Sequence, residues 1–271
     1  MSVHSEIKKI TTETLRKMKF DNDKISMITA YDFTTAKMVD AGGIDAVLVG
    51  DSAANVMAGF ETTLPITLDQ MIYHTQCVVR GIDRALVVAD LPFGTYQSNP
   101  EKALESAVRM MKEGGAHAVK IEGGKEIEES IRKIVNAGIP VMGHLGLTPQ
   151  SIYQFGTYKV RAKEDAEAEK LISDAKLLEE LGCFAVVLEK IPADLAKKVT
   201  EAITIPTIGI GAGANCDGQV LVYHDMVGMN KGFSPKFLRR YLDLHTEITG
   251  AVAQFVKDVK SVDFPNASES Y

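Results

Sequence analysis

Eight short apolar runs, separated by helical or turn-rich stretches, limit what this chain can fold into. They are SMITAY (26–31), IDAVLVGD (44–51), ALVVADLP (85–92) and AHAVKIEGG (116–124), then IPVMGHLGL (139–147), CFAVVLEKIP (183–192), IPTIGIGAG (205–213) and QVLVYHDMVG (219–228). Several are continuous rather than alternating, the pattern of parallel strands covered on both faces. Helical periods are legible between them. Asn99-Pro100 reads as an N-cap with proline at the first helical position. Ala103, Leu104, Ala107, Val108 and Met111 then make an apolar face, and Gly114-Gly115 stops the helix. Spans 67–80, 125–137, 164–181 and 193–203 read the same way, and Ser234-Pro235 opens a helical C-terminal region in which Ile248, Val252, Phe255 and Val259 keep period. Right-handed crossovers between successive parallel strands then predict an α/β chain. It is a (β/α)8 TIM barrel with an N-terminal helix near 12–19 and a helical C-terminal extension. The 214–218 connection is too short for a helix, so one βα unit is degenerate. An open doubly wound sheet is the alternative topology. No linker or low-complexity segment interrupts residues 1–271, so a single barrel domain is expected.

Composition removes several function classes. Thirty basic against thirty-six acidic residues, a net charge of −6, argue against a nucleic-acid or anionic-membrane surface. No apolar run approaches the roughly 18 residues of a membrane span. MSVHSEIKKI lacks the apolar core of a secretory leader. Cys77, Cys183 and Cys216 are widely separated and match no zinc spacing, which fits free thiols in a reducing compartment. The expectation is a cytoplasmic protein.

In either topology, function gathers at the carboxyl ends of the strands. Those ends carry Asp51-Ser52, Asp90, Lys120 with Glu122, His144, Glu189, and the glycine-rich GIGAGAN. Residues two apart on a strand share a face, so Lys120 and Glu122 point the same way. Asp51, Asp90 and Glu122 make an all-oxygen donor set without cysteine, which favours magnesium over zinc or copper. An α-keto acid chelates such an ion through its keto and carboxylate oxygens, and Ser52 and Lys120 are placed to bind the same carboxylate. Glu189 is a candidate base for the proton alpha to that carbonyl. His144 is a candidate donor to substrate or an orienting group. The bland alternative is a salt-bridge network at a barrel rim, with Glu189 paired to Lys190. The glycines of GIGAGA suit close backbone approach or a tight turn better than a dinucleotide, since no long helix follows and no P-loop lysine is present.

These strand ends, in this order, resemble the ketopantoate hydroxymethyltransferase family. The resemblance runs from ITAYDFTTAKMVDAGGIDAVLVGDS through TTLPITLDQMIYHT, VVADLPFGTY, AVKIEGG, PVMGHLGLTPQS, VVLEKIP and IGIGAG to DGQVLVYHDMVG, about 27–242. It implies that Asp51 and Asp90 bind one magnesium ion per subunit, with Glu122 as the third acid. It also implies that Asp51, Ser52, Asp90 and Lys120 contact substrate, that Glu189 is the proton acceptor, and that His144 is the family's active-site histidine. The implied reaction carries a one-carbon unit from 5,10-methylenetetrahydrofolate to 3-methyl-2-oxobutanoate through a magnesium-stabilised enolate, giving 2-dehydropantoate on the pathway to pantothenate. The implied assembly is a homodecamer. Two rival classes remain: a magnesium-dependent lyase or mutase acting on another α-keto acid, and a nucleotide-binding protein that uses the glycines alone.

Overall fold

Each of the eight apolar runs contains a strand. They are β1 (Ile25–Thr29), β2 (Ala46–Val49), β3 (Leu86–Asp90), β4 (Ala118–Glu122), β5 (Val141–Gly146), β6 (Ala185–Glu189), β7 (Thr207–Ile210) and β8 (Gly218–Leu221). All pairings are parallel, in sequence order, and β8 returns to β1, so the sheet is a closed barrel and not an open doubly wound one. The computed structural model describes residues 8–271; the stretch read for a leader lies, up to residue 7, outside the described residues. The chain divides into two compact units, Met1–Leu221 and Val222–Tyr271.

Within the first unit, strand alternation sorts the apolar residues into two layers. Ala46, Leu48, Leu86, Val88, Ala118, Met142, Ala185, Val187 and Ile208 belong to one buried cluster, together with Leu15 of the N-terminal helix Thr12–Phe20. The residues between them, such as Val47, Val87, Val119, Val141 and Val186, belong to a second cluster with apolar faces of the surrounding helices. Each fully buried side chain of this size stabilises the fold by about 1.5–3 kcal/mol. Because the period is two, the inner column continues from Val88 to Asp90, from Ala118 to Lys120 and Glu122, from Met142 to His144 and from Val187 to Glu189. Register then sets Asp90 beside Lys120, Glu122 beside His144 and Gly146 beside Glu189. At the carboxyl ends, therefore, the inner layer turns from apolar to charged. Lys19 ties the N-terminal helix in place, donating to the Thr200 and Ile205 carbonyls at 3.0 Å and pairing with Asp217 at 2.9 Å.

The helices Leu68–Val79, Pro100–Arg109, Glu128–Asn136, Asp165–Glu180 and Ala193–Ala202 fall where the periodicity places them. Asn99 caps its helix by accepting from the Lys102 N–H at 2.9 Å, and a π-helical turn carries that helix on to Gly114. Between β7 and β8 there are only turns, which is the degenerate unit. Three local readings differ from the structure. Helix Phe33–Ala41, capped by Asp32, follows β1 where the sparse apolar pattern gave no helical period. The run at 219–228 is strand only to Leu221, and Tyr223–Met226 form a helical turn. Ser234-Pro235 opens no helix.

In the second unit the Arg240 guanidinium donates to the carbonyls of Asn230, Lys231 and Phe233, which holds that segment in turns. The helix begins only at Leu244, where Asp243 accepts from the Thr246 N–H, and runs to Lys260. Ile248, Val252, Phe255 and Val259 do share a helical period, and all are exposed. The PNASESY tail contains a 3-10 turn at Ala267–Glu269 capped by Asn266. No helix among the described residues is long and apolar enough to cross a membrane.

One glycine ties the fold to the strand-end chemistry. Gly146 has φ +92°, and a Cβ there would lie 2.3 Å from the Glu189 carbonyl oxygen. That carbonyl accepts the Leu147 N–H at 2.9 Å, so β5 and β6 approach too closely for any side chain. Gly146→Ala should cost about 2 kcal/mol and lower Tm by about 4–8 °C, read by calorimetry.

Candidate active site

Two aspartates from neighbouring strand ends meet first. Gly50 follows β2 without a side chain; a Cβ there would lie 2.7 Å from Ser52 Oγ. The chain then turns so that the Asp51 N–H donates to Asp90 Oδ2 at 3.0 Å. Ser52 Oγ shares a 2.8 Å hydrogen bond with Tyr31 Oη. Lys120 Nζ lies 3.1 Å from Asp90 Oδ1 and 4.0 Å from Glu122 Oε1. His144 joins the next two acids: Nδ1 is 3.3 Å from Glu122 Oε1, and Nε2 is 3.3 Å from Glu189 Oε2. Lys190, the alternative partner of Glu189, instead reaches the Tyr158 carbonyl. All seven residues picked from the sequence therefore lie at one end of the barrel. Asp51, Asp90, Lys120, Glu122 and His144 are buried, and Glu189 is the better exposed of the two carboxylates facing the histidine.

Burial raises the Asp51 carboxyl well above its usual range, reinforced by repulsion from Asp90 and Glu122 and only partly offset by Lys120 and a Gln150 hydrogen bond. Asp90 is raised for the same first reason, against the pull of Lys120 and of the Asp51 N–H. Desolvation also works against the other charged groups, yet their partners overcome it. Glu122 is lowered by the His144 hydrogen bond and the charges of His144 and Lys120. Lys120 is raised by Asp90, Glu122 and Asp51. His144, opposed by both burial and Lys120, is held at about 9 by hydrogen bonds to Glu122 and Glu189. Four carboxyl groups thus face one ammonium and one imidazole, with Lys120 Nζ 3.1 Å from His144 Nδ1.

Three residues of this network escape a reading confined to strand ends. Gln150 follows β5 in a 3-10 turn; its Nε2 donates to Asp51 Oδ2 at 3.0 Å and its backbone N–H to Glu122 Oε2 at 2.9 Å. Tyr96 Oη accepts the Glu122 N–H at 2.9 Å and donates to Gln150 Oε1 at 2.7 Å. Tyr31 holds Ser52. The available signal was the loop motifs FGTYQ and LTPQS, but neutral polar residues in loops carry no mark of burial. Glu122 Oε2 accepts the Gln150 N–H while Oε1 faces His144 and Lys120 without a well-aligned hydrogen bond, so Asp51, Asp90 and Glu122 together offer the hard oxygen donors for a cation. No group of three or more His, Cys, Asp or Glu side chains among the described residues is drawn into a ligating cluster. A cavity of about 640 Å³ adjoins the charged layer, with Tyr96, Glu122, Gly146 and Gln150 in its wall.

The family model described as ketopantoate hydroxymethyltransferase matches residues 9–267. A 3-methyl-2-oxobutanoate hydroxymethyltransferase of Flavobacterium johnsoniae is 71% identical over 266 residues, covering 98% of each chain. One of Christiangramia forsetii is 68% identical over the same length and share. Among solved structures, a phosphonopyruvate hydrolase in complex with oxalate and magnesium aligns with a TM-score of 0.61 at 10% identity, covering 96% of this chain and 93% of that one. At that identity the likeness is one of fold.

The Lys120 ammonium is the nearest cation to Asp90. Removing one member of a buried ion pair strands the other, typically at a cost of about 3–5 kcal/mol. Lys120→Met should lose stability in that range by urea titration with a chelator present; a loss below about 1 kcal/mol would mean that its partners are not ionised.

Proposed function

The chain belongs to the ketopantoate hydroxymethyltransferase family, a family of transferases, and from that premise we propose the reaction it performs. It moves a one-carbon unit from 5,10-methylenetetrahydrofolate to 3-methyl-2-oxobutanoate, forming 2-dehydropantoate and tetrahydrofolate in pantothenate biosynthesis. The observation that carries the chemical reading is the charge imbalance. Counted in their charged forms, Asp51, Asp90, Glu122 and Glu189 outnumber Lys120 and His144 by two, the deficit that one divalent cation would make good. Burial with that deficit unmet raises the Asp51 and Asp90 carboxyls. The donors are carboxylate oxygens, which suits magnesium. Asp51 and Asp90 would hold one such ion per subunit, with Glu122 as the third acid, and when bound it would supply Lewis-acid polarisation of a keto oxygen.

The side chains then divide the work. Lys120 and Ser52 bind the substrate carboxylate, the ammonium by charge and the hydroxyl as a neutral donor. Glu189, more open than the acids beneath it, accepts the proton from C3. His144 orients that carboxylate through Nε2 while its other nitrogen is anchored on Glu122. Water cleaves the two C–N bonds that hold the one-carbon unit, giving tetrahydrofolate and a carbon at the formaldehyde level. The C3 carbanion forms its C–C bond to that carbon, and the resulting alkoxide takes back the proton held by Glu189, so atoms balance. The cavity beside Tyr96 and Gln150 gives room for the bulky donor next to the charged layer. A cytoplasmic location fits the three free cysteines. The exposed apolar row on Leu244–Lys260 supports self-association, and a homodecamer is the assembly that the family resemblance implies.

Calorimetry should find that Asp51→Asn and Asp90→Asn each weaken magnesium binding by more than about tenfold. A double variant that binds magnesium and keto acid as wild type does would end the metal assignment.

Glu189 can be tested without the folate. With magnesium alone, the wild-type protein should exchange the C3 hydrogen of 3-methyl-2-oxobutanoate with deuterated water. Glu189→Gln should slow exchange and overall transfer together by about 10²–10⁴-fold while keto-acid binding persists. Exchange at the wild-type rate would place the base elsewhere.

A further inference from the structure

Gln150 is a neutral side chain that reaches the buried Asp51 carboxylate from outside the strands. Its carboxamide has two N–H donors and an oxygen with two lone pairs, and all four are used. Nε2 donates to Asp51 Oδ2 and to the Leu91 carbonyl, each at 3.0 Å. Oε1 accepts from Tyr96 Oη at 2.7 Å and from Gln97 Nε2 at 2.8 Å. The amide cannot turn over: flipped, its oxygen would face the Asp51 carboxylate and the Leu91 carbonyl, two acceptors against an acceptor. Tyr96 Oη accepts the Glu122 N–H at 2.9 Å, and its single proton has two acceptors in reach, Gln150 Oε1 at 2.7 Å and, at the longer distance of 3.3 Å, the Glu122 carbonyl; the shorter contact is to Gln150.

The result is a directed chain of hydrogen bonds from the end of β4 to the turn after β2, running from the Glu122 N–H through Tyr96 and Gln150 to Asp51. The Gln150 backbone N–H closes it into a loop by donating to Glu122 Oε2. Oδ2 is thereby occupied, while Oδ1 of Asp51 has no hydrogen bond to a described residue.

We infer that Gln150, held by Tyr96, is a positioning residue: it fixes the rotation of the Asp51 carboxylate so that one defined oxygen is presented to the divalent cation. A donor with no charge is what this place requires. It ties down the carboxylate without supplying the positive charge that a cation would then have to displace. The inference rests on the magnesium reading of Asp51 and Asp90 and assigns that site a residue outside the strand ends.

The test reads metal affinity rather than turnover. Magnesium is titrated by calorimetry into wild type, Gln150→Met, Tyr96→Phe and the double variant, and the melting temperature of each metal-free protein is recorded. Gln150→Met keeps the length of the side chain without its hydrogen bonds. It should weaken magnesium binding about 10–100-fold, the range typical of residues that orient a metal ligand. Tyr96→Phe, which keeps the buried ring and removes only the hydroxyl, should weaken it less. If Tyr96 acts through Gln150, the double variant should bind no worse than Gln150→Met alone, because contacts in one network are not additive. Variants with lowered melting temperatures but magnesium affinity within twofold of wild type would overturn the inference and make Gln150 a packing residue. Additive losses would overturn the part played by Tyr96. Wild-type protein that binds no magnesium would instead overturn the metal reading itself. Should Gln150→Met not fold, Tyr96→Phe alone decides, since an unchanged affinity there refutes the relay.

Discussion

Four carboxyl groups share a nearly dry space with one ammonium and one imidazole, and the rest of the barrel is arranged to tolerate it. Moving an ion from water into such a place costs several kcal/mol unless partners recover it. Here the partners are distributed unevenly. Glu122 lies near both the ammonium and the imidazole and accepts a backbone N–H, which brings it below its usual range. Asp51 is met only by a neutral amide and remains well above it. The stabilisation that offsets the remaining penalty comes from the apolar layers beneath, where β-strand side chains and Leu15 fill the barrel. The site is thus a charged lid on an apolar plug, with the two parts drawn from the same strands.

That continuity constrains the sequence more tightly than the charges do. A strand that carries Val88 in the barrel must carry Asp90 there too, and the same holds for Ala118, Lys120 and Glu122. A one-residue slip of either strand would swing these groups toward the helices and bring apolar residues into the mouth. Register is therefore a functional property, and Gly146 is one place where it is enforced. The contact of β5 with the Glu189 carbonyl leaves no room for a Cβ, so the base proposed at Glu189 and the histidine beside it keep a fixed separation.

The same continuity explains which parts were legible in the sequence. Parallel strands covered on both sides announce themselves as apolar runs, their carboxyl ends nominate Asp90, Lys120, Glu122, His144 and Glu189 as one site, and parity puts Lys120 and Glu122 on the same face. Asp51 and Ser52 were found because they follow a strand directly. Gln150 and Tyr96 were not, since glutamine and tyrosine in a loop are ordinary surface residues until tertiary structure buries them. Local signals failed in the opposite way near the C-terminus. Ser234-Pro235 is a sound helix start by itself, but the Arg240 guanidinium gathers the carbonyls of Asn230, Lys231 and Phe233, and the helix waits for the Asp243 cap. Helix Phe33–Ala41 lacked a strong apolar period because few of its residues face the core: Thr35 and Ala36 alone are buried.

The uneven distribution of partners gives the site a direction. Lys120 touches Asp90 and His144, and His144 touches Glu122 and Glu189, so positive charge is concentrated on the side of the proposed base. Asp51 sits at the opposite end of this row with only amide donors. A second lysine in place of Gln150 would pair with Asp51 by charge, but its ammonium would offer no acceptor to Tyr96 Oη and Gln97 Nε2. It would also fill much of the charge deficit that gives a divalent cation its reason to bind. An amide does neither. It meets the hydrogen-bonding demand of the carboxylate and leaves the electrostatic demand open, and a substrate that chelates a cation can enter only where that demand has been left open.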